Sequence, residues 1–154
     1  MKRAEELLHL SREHHGALVL AKRIAACPPD TNARLAMCEQ VSARFQQELA
    51  PHFAEEEQTL LPLMRAAHPQ AVQRTLDDHV TLRALAMRLA LGDETALPAF
   101  GKCLAEHVRF EERELFPLFE ALLSVQKSNA RDVFSFLSPR VFPHFSLTSP
   151  FIAR

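Results

Sequence analysis

The chain has 154 residues, a formal net charge of −1 with histidine neutral, and 24% charged residues. Its length suits one domain with a core of its own. The Lys and Arg residues are scattered, so there is no basic stripe of the kind that binds nucleic acid. No apolar stretch approaches the roughly 20 residues that span a bilayer. We therefore expect a cytoplasmic protein that binds neither nucleic acid nor membrane.

The cysteines and aromatic residues narrow the kinds of site and reaction that the protein can have. Cys27, Cys38 and Cys103 show neither a CxxC pair nor regular spacing, which disfavours both a disulfide framework and a zinc knuckle. We interpret them as reduced thiols. Trp and Tyr are absent, so no phenol can serve as a ligand, an acid or a radical relay.

Apolar residues recur at three- and four-residue steps in four segments, which predicts four helices. The expected helices run from about residue 3 to about 26, from a cap at residues 30–32 to about 66, from Pro69 to Gly92, and across 100–118. The apolar face expected on the second helix comprises Phe45, Leu49, His52, Glu56, Leu60 and Leu63. No segment alternates polar and apolar residues with a period of two, so the predicted fold class is all-α.

The second and fourth helices repeat each other. Nine residues of 45–63 recur unchanged in 100–118 at an offset of 55: Phe45, Leu49, Ala50, His52, Glu56, Glu57, Leu60, Pro62 and Leu63. The first and third helices match at an offset of 65, which pairs Glu13-His14 with Asp78-His79. Each half is thus a helical hairpin on one plan. Two such hairpins predict an up-down-up-down four-helix bundle with four histidines at one interior level.

One connection does not fit this symmetry. His14 and His52 lie at unequal distances from the turn at Pro28-Pro29. They can share a level only if the start of the second helix extends beyond the first helix or is irregular.

Two His-x3-Glu pairs point to metal binding. Residues four apart on a helix share a face, with Cβ atoms about 5–6 Å apart, so each pair presents an imidazole and a carboxylate to one point. Taken singly, each residue would be read as a surface or capping residue, but burying four unpaired histidines is unfavourable by several kcal/mol. Two bridging glutamates and four histidines would hold two metals and leave positions open for small molecules. The predicted ligands are His14, His52, Glu56, His79, His107 and Glu111.

The donor set limits the choice of metal. Imidazole suits Zn, Cu, Fe and Ni alike, whereas bridging carboxylates favour Fe and Mn. A tetrahedral zinc site needs only four of the six ligands. The HExxH motif of zinc proteases is absent.

Over about residues 3–125 the chain resembles the hemerythrin-like, or HHE cation-binding, domain family. The resemblance rests on Glu13-His14, on His52 to Glu56, on Asp78-His79, and on His107 to Glu112 with Leu115-Phe116-Pro117. It implies a non-haem centre of two iron ions, with Zn or Mn as substitutes, used in the family for O2, nitric oxide, peroxide or iron. We expect a protein that binds, senses or scavenges such a small molecule. An iron-donating interaction protein and a di-iron oxidoreductase are the alternatives.

One departure from the family matters. Hemerythrins that carry O2 have a further histidine one turn before the ligand of the third helix, where this chain has Thr75. His15 does not replace it, because it points about 100° away from His14 on a helix. A more open metal exchanges ligands more freely, so the resemblance favours sensing, scavenging or redox chemistry over reversible O2 transport.

Several residues near the predicted metal site have two possible roles. Cys103 is either a redox-active neighbour of the metals or a small buried apolar residue. Its counterpart Glu48 either accepts a histidine N–H or lies on a solvated face. Phe45, Leu49, Met64, Phe100 and Leu104 line a dry pocket, form the core, or do both. We place His9, His68 and His144 on the surface.

The predicted bundle covers residues 1–125, and residues 126–154 form a tail rich in Pro and Phe. Five phenylalanines in the tail would be unfavourable in water: Phe134, Phe136, Phe142, Phe145 and Phe151. We expect the tail to cover the bundle, to join a second copy in a homo-oligomer, or to bind a protein partner.

Overall fold

The computed structural model describes residues 4–136, and the surroundings of side chains for residues 4–128. Four long helices make up nearly all of this part. Helix α1 is Leu8–Ala25; α2 comprises Thr31–Arg44, Ala50–Glu55 and Leu61–Met64; α3 is Pro69–Ala90; α4 comprises Leu97–Phe110 and Phe116–Phe136. Short 3-10 turns, Glu5–Leu7 and Glu94–Ala96, precede α1 and α4. No strand occurs among the described residues, so the all-α prediction of four helices is confirmed.

The helix ends follow the signals in the sequence. The carboxylate of Asp30 accepts the N–H of Ala33 and caps α2. Pro69 occupies the first position of α3, where a missing N–H leaves no bond unmade. After α3, Gly92 takes a φ of +81°, a left-handed conformation that glycine adopts without strain. These residues set the three turns that bring the helices side by side.

Three π-helical turns interrupt α2 and α4, at Phe45–Leu49, Glu56–Leu60 and Glu111–Leu115. Each is closed by an N–H bonded to the carbonyl five residues earlier, and the next residue is a proline: Pro51, Pro62 or Pro117. In an α-helix the proline ring would clash with the carbonyl four residues before it. The wider turn removes that clash, so the prolines account for the π-helical turns.

The π-helical turn at Glu56–Leu60 corrects one expectation. The sequence predicts that Leu63 faces the core with Leu60, but Leu63 is 58% exposed while Leu61 and Met64 are buried. A π-helical turn holds one residue more than an α-helical turn. It therefore shifts the buried face by one position along the chain.

His14 and His52 reach the same level although their distances from the turn differ. Both possible explanations apply: α2 begins beyond the end of α1, and α2 is irregular. Near the end of α1, Arg23 donates to Gln40, so the first turns of α2 lie beyond that end. There Arg34 contacts Glu94 at 3.4 Å instead. The π-helical turn at Phe45–Leu49 makes α2 irregular before it reaches the level of His14.

A layer of polar residues divides the interior into two apolar regions. On every helix, a buried histidine lies between two groups of buried apolar residues. On one side, a continuous cluster includes Leu20, Ile24, Leu82, Phe100 and Leu104. On the other side the buried residues include Leu7, Leu10, Leu61, Met64, Val72, Phe110 and Phe119. Burial of both regions holds the polar layer in place.

The helices form one compact unit up to Leu122, and a second unit begins at Leu123. Of the second unit, the structure describes the continuation of α4 to Phe136, which is longer than the sequence indicates. His144 and most of the predicted tail lie outside the described residues. Within residues 4–136, no helix has the length and apolar character needed to cross a membrane.

Helices α1 and α4 approach each other closely at Gly101. A Cβ atom there would lie 2.9 Å from Cγ2 of Ile24, a buried side chain that cannot easily move. We expect Gly101→Ala to lower the free energy of unfolding by about 1–3 kcal/mol, because overpacking outweighs the better helix propensity of alanine. Chemical unfolding measures the change.

Gly16→Ala is the matched control. Its Cβ would meet only the guanidinium of Arg44, at 3.3 Å, which can move away. This variant should be as stable as the wild type or up to about 1 kcal/mol more stable. Equal stability of the two variants would contradict the close approach at Gly101.

Candidate metal centre

The structure brings the six predicted ligands together in the polar layer. Helix α1 contributes His14, α2 contributes His52 and Glu56, α3 contributes His79, and α4 contributes His107 and Glu111. All six are buried, and both glutamates have no exposed surface. His15, in contrast, is exposed, in agreement with the choice of His14.

The six side chains form two clusters that share both glutamates. The first cluster is His14, His52, Glu56 and Glu111; the second cluster is His79, His107, Glu56 and Glu111. In each cluster, one donor atom from every residue lies within 4.8 Å of the others. The internal repeat relates the clusters, since His14 corresponds to His79 and His52 to His107.

A ring of carboxylates surrounds the histidines. Each carboxylate faces Nδ1 of the histidine on the next helix: Glu13 faces His52 at 2.6 Å, Glu57 faces His79 at 2.8 Å, Asp78 faces His107 at 3.6 Å and Glu112 faces His14 at 2.8 Å. The order runs from α1 to α2, α3, α4 and back to α1. Three of these contacts are hydrogen bonds in which Nδ1 donates and the carboxylate accepts.

These hydrogen bonds decide which nitrogen of each ring is free. In a neutral imidazole with the proton on Nδ1, Nε2 carries a lone pair. Nε2 of His14 lies 3.1 Å from Nε2 of His52, although both rings donate from Nδ1. Two lone pairs at this distance repel each other unless a cation lies between them. The two Nε2 atoms are therefore close enough that they could bind one metal ion.

The shared glutamates also lack hydrogen bonds. None of the four carboxylate oxygens of Glu56 and Glu111 has a hydrogen bond, nor does Nε2 of His79 or of His107. Buried charges are normally paired or coordinate metals. Oxygen and nitrogen atoms that converge without hydrogen-bond partners fit the donor set of a metal centre.

The family model of the hemerythrin HHE cation-binding domain matches residues 7–119. The chain belongs to this family. The match includes the whole polar layer and confirms the resemblance seen in the sequence. No curated protein and no solved structure matches the chain. Because the domain binds cations, the two buried clusters of this hemerythrin-like chain could hold metal ions.

The two shared glutamates differ in their electrostatics. Burial raises the pKa of Glu111 from 4.5 to about 8, and the negative charge of Glu56 adds to the rise. Burial would also raise the pKa of Glu56, but contacts with His52 and His79 outweigh it and hold that pKa far below its usual range. In the metal-free chain one of the two carboxyl groups is therefore protonated at neutral pH.

Aromatic rings hold the ligand imidazoles in orientation. Phe53 stacks on His79, with ring centres 4.0 Å apart, and Phe116 stacks on His14 at 5.2 Å. Phe53 also meets His107 edge to face at 5.4 Å. These apolar walls fix the rings and keep water from them.

A cavity of about 310 Å³ opens onto the centre between α1, α2 and α4. Three ligands line it, His14, His52 and His107, and Leu49 and Leu104 belong to its apolar wall as the sequence proposed. Other wall residues are Ala17, Phe53 and Val108. Of the remaining candidates, Phe100 and Met64 are buried in the apolar regions.

The structure bears on the two alternative interpretations of Cys103 and of Glu48. Burial raises the pKa of the half-buried Cys103 to about 11, with a further contribution from Asp78, so its thiol is a poor nucleophile at neutral pH. Glu48 accepts from Arg44 on an exposed face and bonds to no histidine. His9 is exposed beside Glu13 and Glu55, and His68 is partly exposed.

The sequence interpretation did not recognise the roles of Glu13, Glu57, Asp78 and Glu112. A signal was present, because each is adjacent to a predicted ligand and recurs at the same offset as that ligand. The sequence did not reveal which helices are neighbours. The order of the neighbouring helices decides which histidine each carboxylate contacts.

The raised pKa of Glu111 predicts a pH dependence of the metal-free chain. Between 4.5 and about 8 the folded state holds a proton that the unfolded state has released, so folding stability falls as pH rises through this range. Glu111→Gln cannot ionise and avoids that loss. We expect its advantage in free energy of unfolding over the wild type to grow from about pH 5 to about pH 8.

Urea unfolding at several pH values measures this difference. Glu114→Gln, at an exposed position on the same helix, is the control and should show no such trend. A difference between Glu111→Gln and the wild type that does not change with pH would contradict the burial of an ionisable Glu111.

Proposed function

We propose that this hemerythrin-like domain holds two iron ions and uses them to bind, sense or scavenge a small molecule: O2, nitric oxide or peroxide. His14 and His52 would hold one ion and His79 and His107 the other, with Glu56 and Glu111 bridging. The up-down-up-down course of the helices is part of this proposal. The observation that carries it is the pair of Nε2 atoms of His14 and His52, 3.1 Å apart with both Nδ1 atoms already committed as donors.

The donor set supports two ions rather than one. The clusters together offer four imidazoles and two carboxylates, and each carboxylate has two oxygens without a hydrogen bond. The contacts of Glu56 support a bridging role, since its Oε1 lies 3.4 Å from Nε2 of His52 and its Oε2 lies 3.3 Å from Nε2 of His79. One carboxylate thus faces both clusters.

The same donors support iron. Imidazole nitrogen suits iron as well as zinc, copper and nickel, and bridging carboxylates move the preference towards iron and manganese. Each ion would have fewer protein ligands than the six that iron commonly takes. Bound iron would supply open coordination positions and a redox couple for a small ligand.

The chain itself provides access and orientation. The cavity beside His14 and His52 admits a small molecule from solvent, while Leu49, Leu104 and Val108 give it an apolar wall. Phe53 stacks on His79 and Phe116 stacks on His14, which keeps these imidazole rings in place. Glu13 and Glu112 hold the Nδ1 protons of His52 and His14, so Nε2 stays available as the ligand atom.

Metal content tests the shared role of the glutamates. The wild type should carry two iron ions per chain. Glu56→Ala removes a ligand of both clusters and should leave fewer than one ion, whereas His52→Ala alters the first cluster alone and should leave about one. Elemental analysis of purified protein gives these ratios.

His68→Ala, which changes a partly exposed histidine outside the layer, is the control and should retain two ions. Fewer than one ion in the wild type, or full occupancy in Glu56→Ala, would refute the proposal.

Filling the cavity tests the access path. Ala17 is buried in the cavity wall, so Ala17→Leu should occupy space next to His14. We expect azide to bind to the oxidised iron form at least about tenfold more slowly, with iron content unchanged, because the path to the open position is blocked. Stopped-flow absorbance measures the rate.

Ala36→Leu makes the same change at an exposed position of α2 and should leave the azide rate unaltered. If Ala17→Leu binds azide as fast as the wild type, small molecules reach the centre by another route.

A further inference from the structure

We infer that the second cluster binds its metal ion more weakly than the first, because Asp78 and Arg83 weaken its two histidines as ligands. The domain would then pass through a stable form with one metal ion, held by His14 and His52, while the ion at His79 and His107 exchanges. This inference rests on the proposed function, since it concerns the same two clusters. It adds a difference in metal affinity between two clusters whose direct ligands are of the same kind.

The first observation is a break in the ring of carboxylates. Three positions of the ring are glutamates, and their contacts with Nδ1 are 2.6–2.8 Å long. The fourth is Asp78, whose side chain is one methylene shorter and stops 3.6 Å from Nδ1 of His107. Nδ1 of His107 has no hydrogen-bond partner among the described residues. The equivalent position in the first half, Glu13, makes the shortest contact of the ring.

This break bears on metal affinity. A carboxylate that accepts from Nδ1 fixes the imidazole tautomer and orientation and makes the other nitrogen a stronger donor. Loss of such a partner typically weakens metal binding by about 10–100-fold. Asp78 still contributes negative charge near His107, but the directional hydrogen bond is missing. His107 is thus the one ligand imidazole whose tautomer no protein group determines within the described residues.

The second observation concerns His79 and is independent of Asp78. The Oε1 atom of Glu57 that faces Nδ1 of His79 also accepts from Arg83, and both distances are 2.8 Å. The guanidinium withdraws charge from the carboxylate, so Glu57 strengthens His79 less than an unshared carboxylate would. In the first half the position equivalent to Arg83 is Leu18, which brings no charge.

The corresponding carboxylate of the first cluster, Glu112, also accepts a second hydrogen bond. Oε1 of Glu112, which faces His14, accepts from the hydroxyl of Ser11 at 2.7 Å. The gap at Asp78 and the Arg83 guanidinium on Glu57 both act on the second cluster, and both weaken its histidines as ligands.

Titration of the metal-free full chain with Co²⁺, followed by its visible absorbance, tests the inference. The wild type should bind two ions in two steps that differ by at least about tenfold in affinity. Asp78→Glu lengthens the side chain to that of its counterpart Glu13 and should tighten the weaker step while the stronger step stays unchanged. Asp77→Glu, the same change at an exposed neighbour, is the matched control and should alter neither step.

Two further variants assign the steps to the clusters. Glu13→Asp introduces in the first cluster the gap that Asp78 leaves in the second, so it should weaken the stronger step. Arg83→Leu, which copies the residue at the equivalent position, should tighten the weaker one. Equal steps in the wild type, or an Asp78→Glu variant with unchanged steps, would overturn the inference while two bound ions still uphold the proposed function.

A measurement without metal separates the two proposals completely. In ¹⁵N NMR of the metal-free chain, Nδ1 of His107 should differ from that of the other three buried histidines and move towards them in Asp78→Glu. Four equivalent Nδ1 signals would overturn the inference whether or not metal binds. Binding of fewer than one Co²⁺ per chain with the expected NMR difference would instead refute the proposed function.

Discussion

The structure depends on a buried layer in which two glutamates lie among four histidines without a hydrogen bond. Glu56 and Glu111 are fully buried between four imidazoles, and none of their oxygens accepts a hydrogen bond. Such a layer is unfavourable in a protein interior unless a cation neutralises it. The apolar regions on both sides supply the folding free energy that holds it together. The apolar packing on both sides therefore offsets the unfavourable burial of the two glutamates.

The arrangement around this layer follows from the internal repeat. Each half supplies an acid before the histidine of its first helix and a second glutamate after the ligand of its second helix. The packing turns these four acids into a ring in which every carboxylate meets the next helix. Asp78 in place of a glutamate is enough to make one of these four contacts longer than the other three.

Much of the fold and of the candidate metal centre could be predicted from the sequence. The four helices and the convergence of His14, His79 and the two His-x3-Glu pairs followed from helical periodicity and from the repeat, because both depend on local spacing. The π-helical turns were missed because the prolines after them were not weighed as part of a continuous helix. That omission placed Leu63 in the core, although Leu63 is exposed and Leu61 is buried. The ring of carboxylates could not be derived, since it depends on which helices are neighbours.

The most direct test of the centre is a crystal structure of protein purified with its own metal, with anomalous diffraction recorded at the iron edge. Two anomalous peaks are expected, both in contact with Glu56 and Glu111. One should lie beside His14 and His52, and the other beside His79 and His107. A single peak bound by all four histidines, or the absence of any peak in the polar layer, would contradict a two-ion centre.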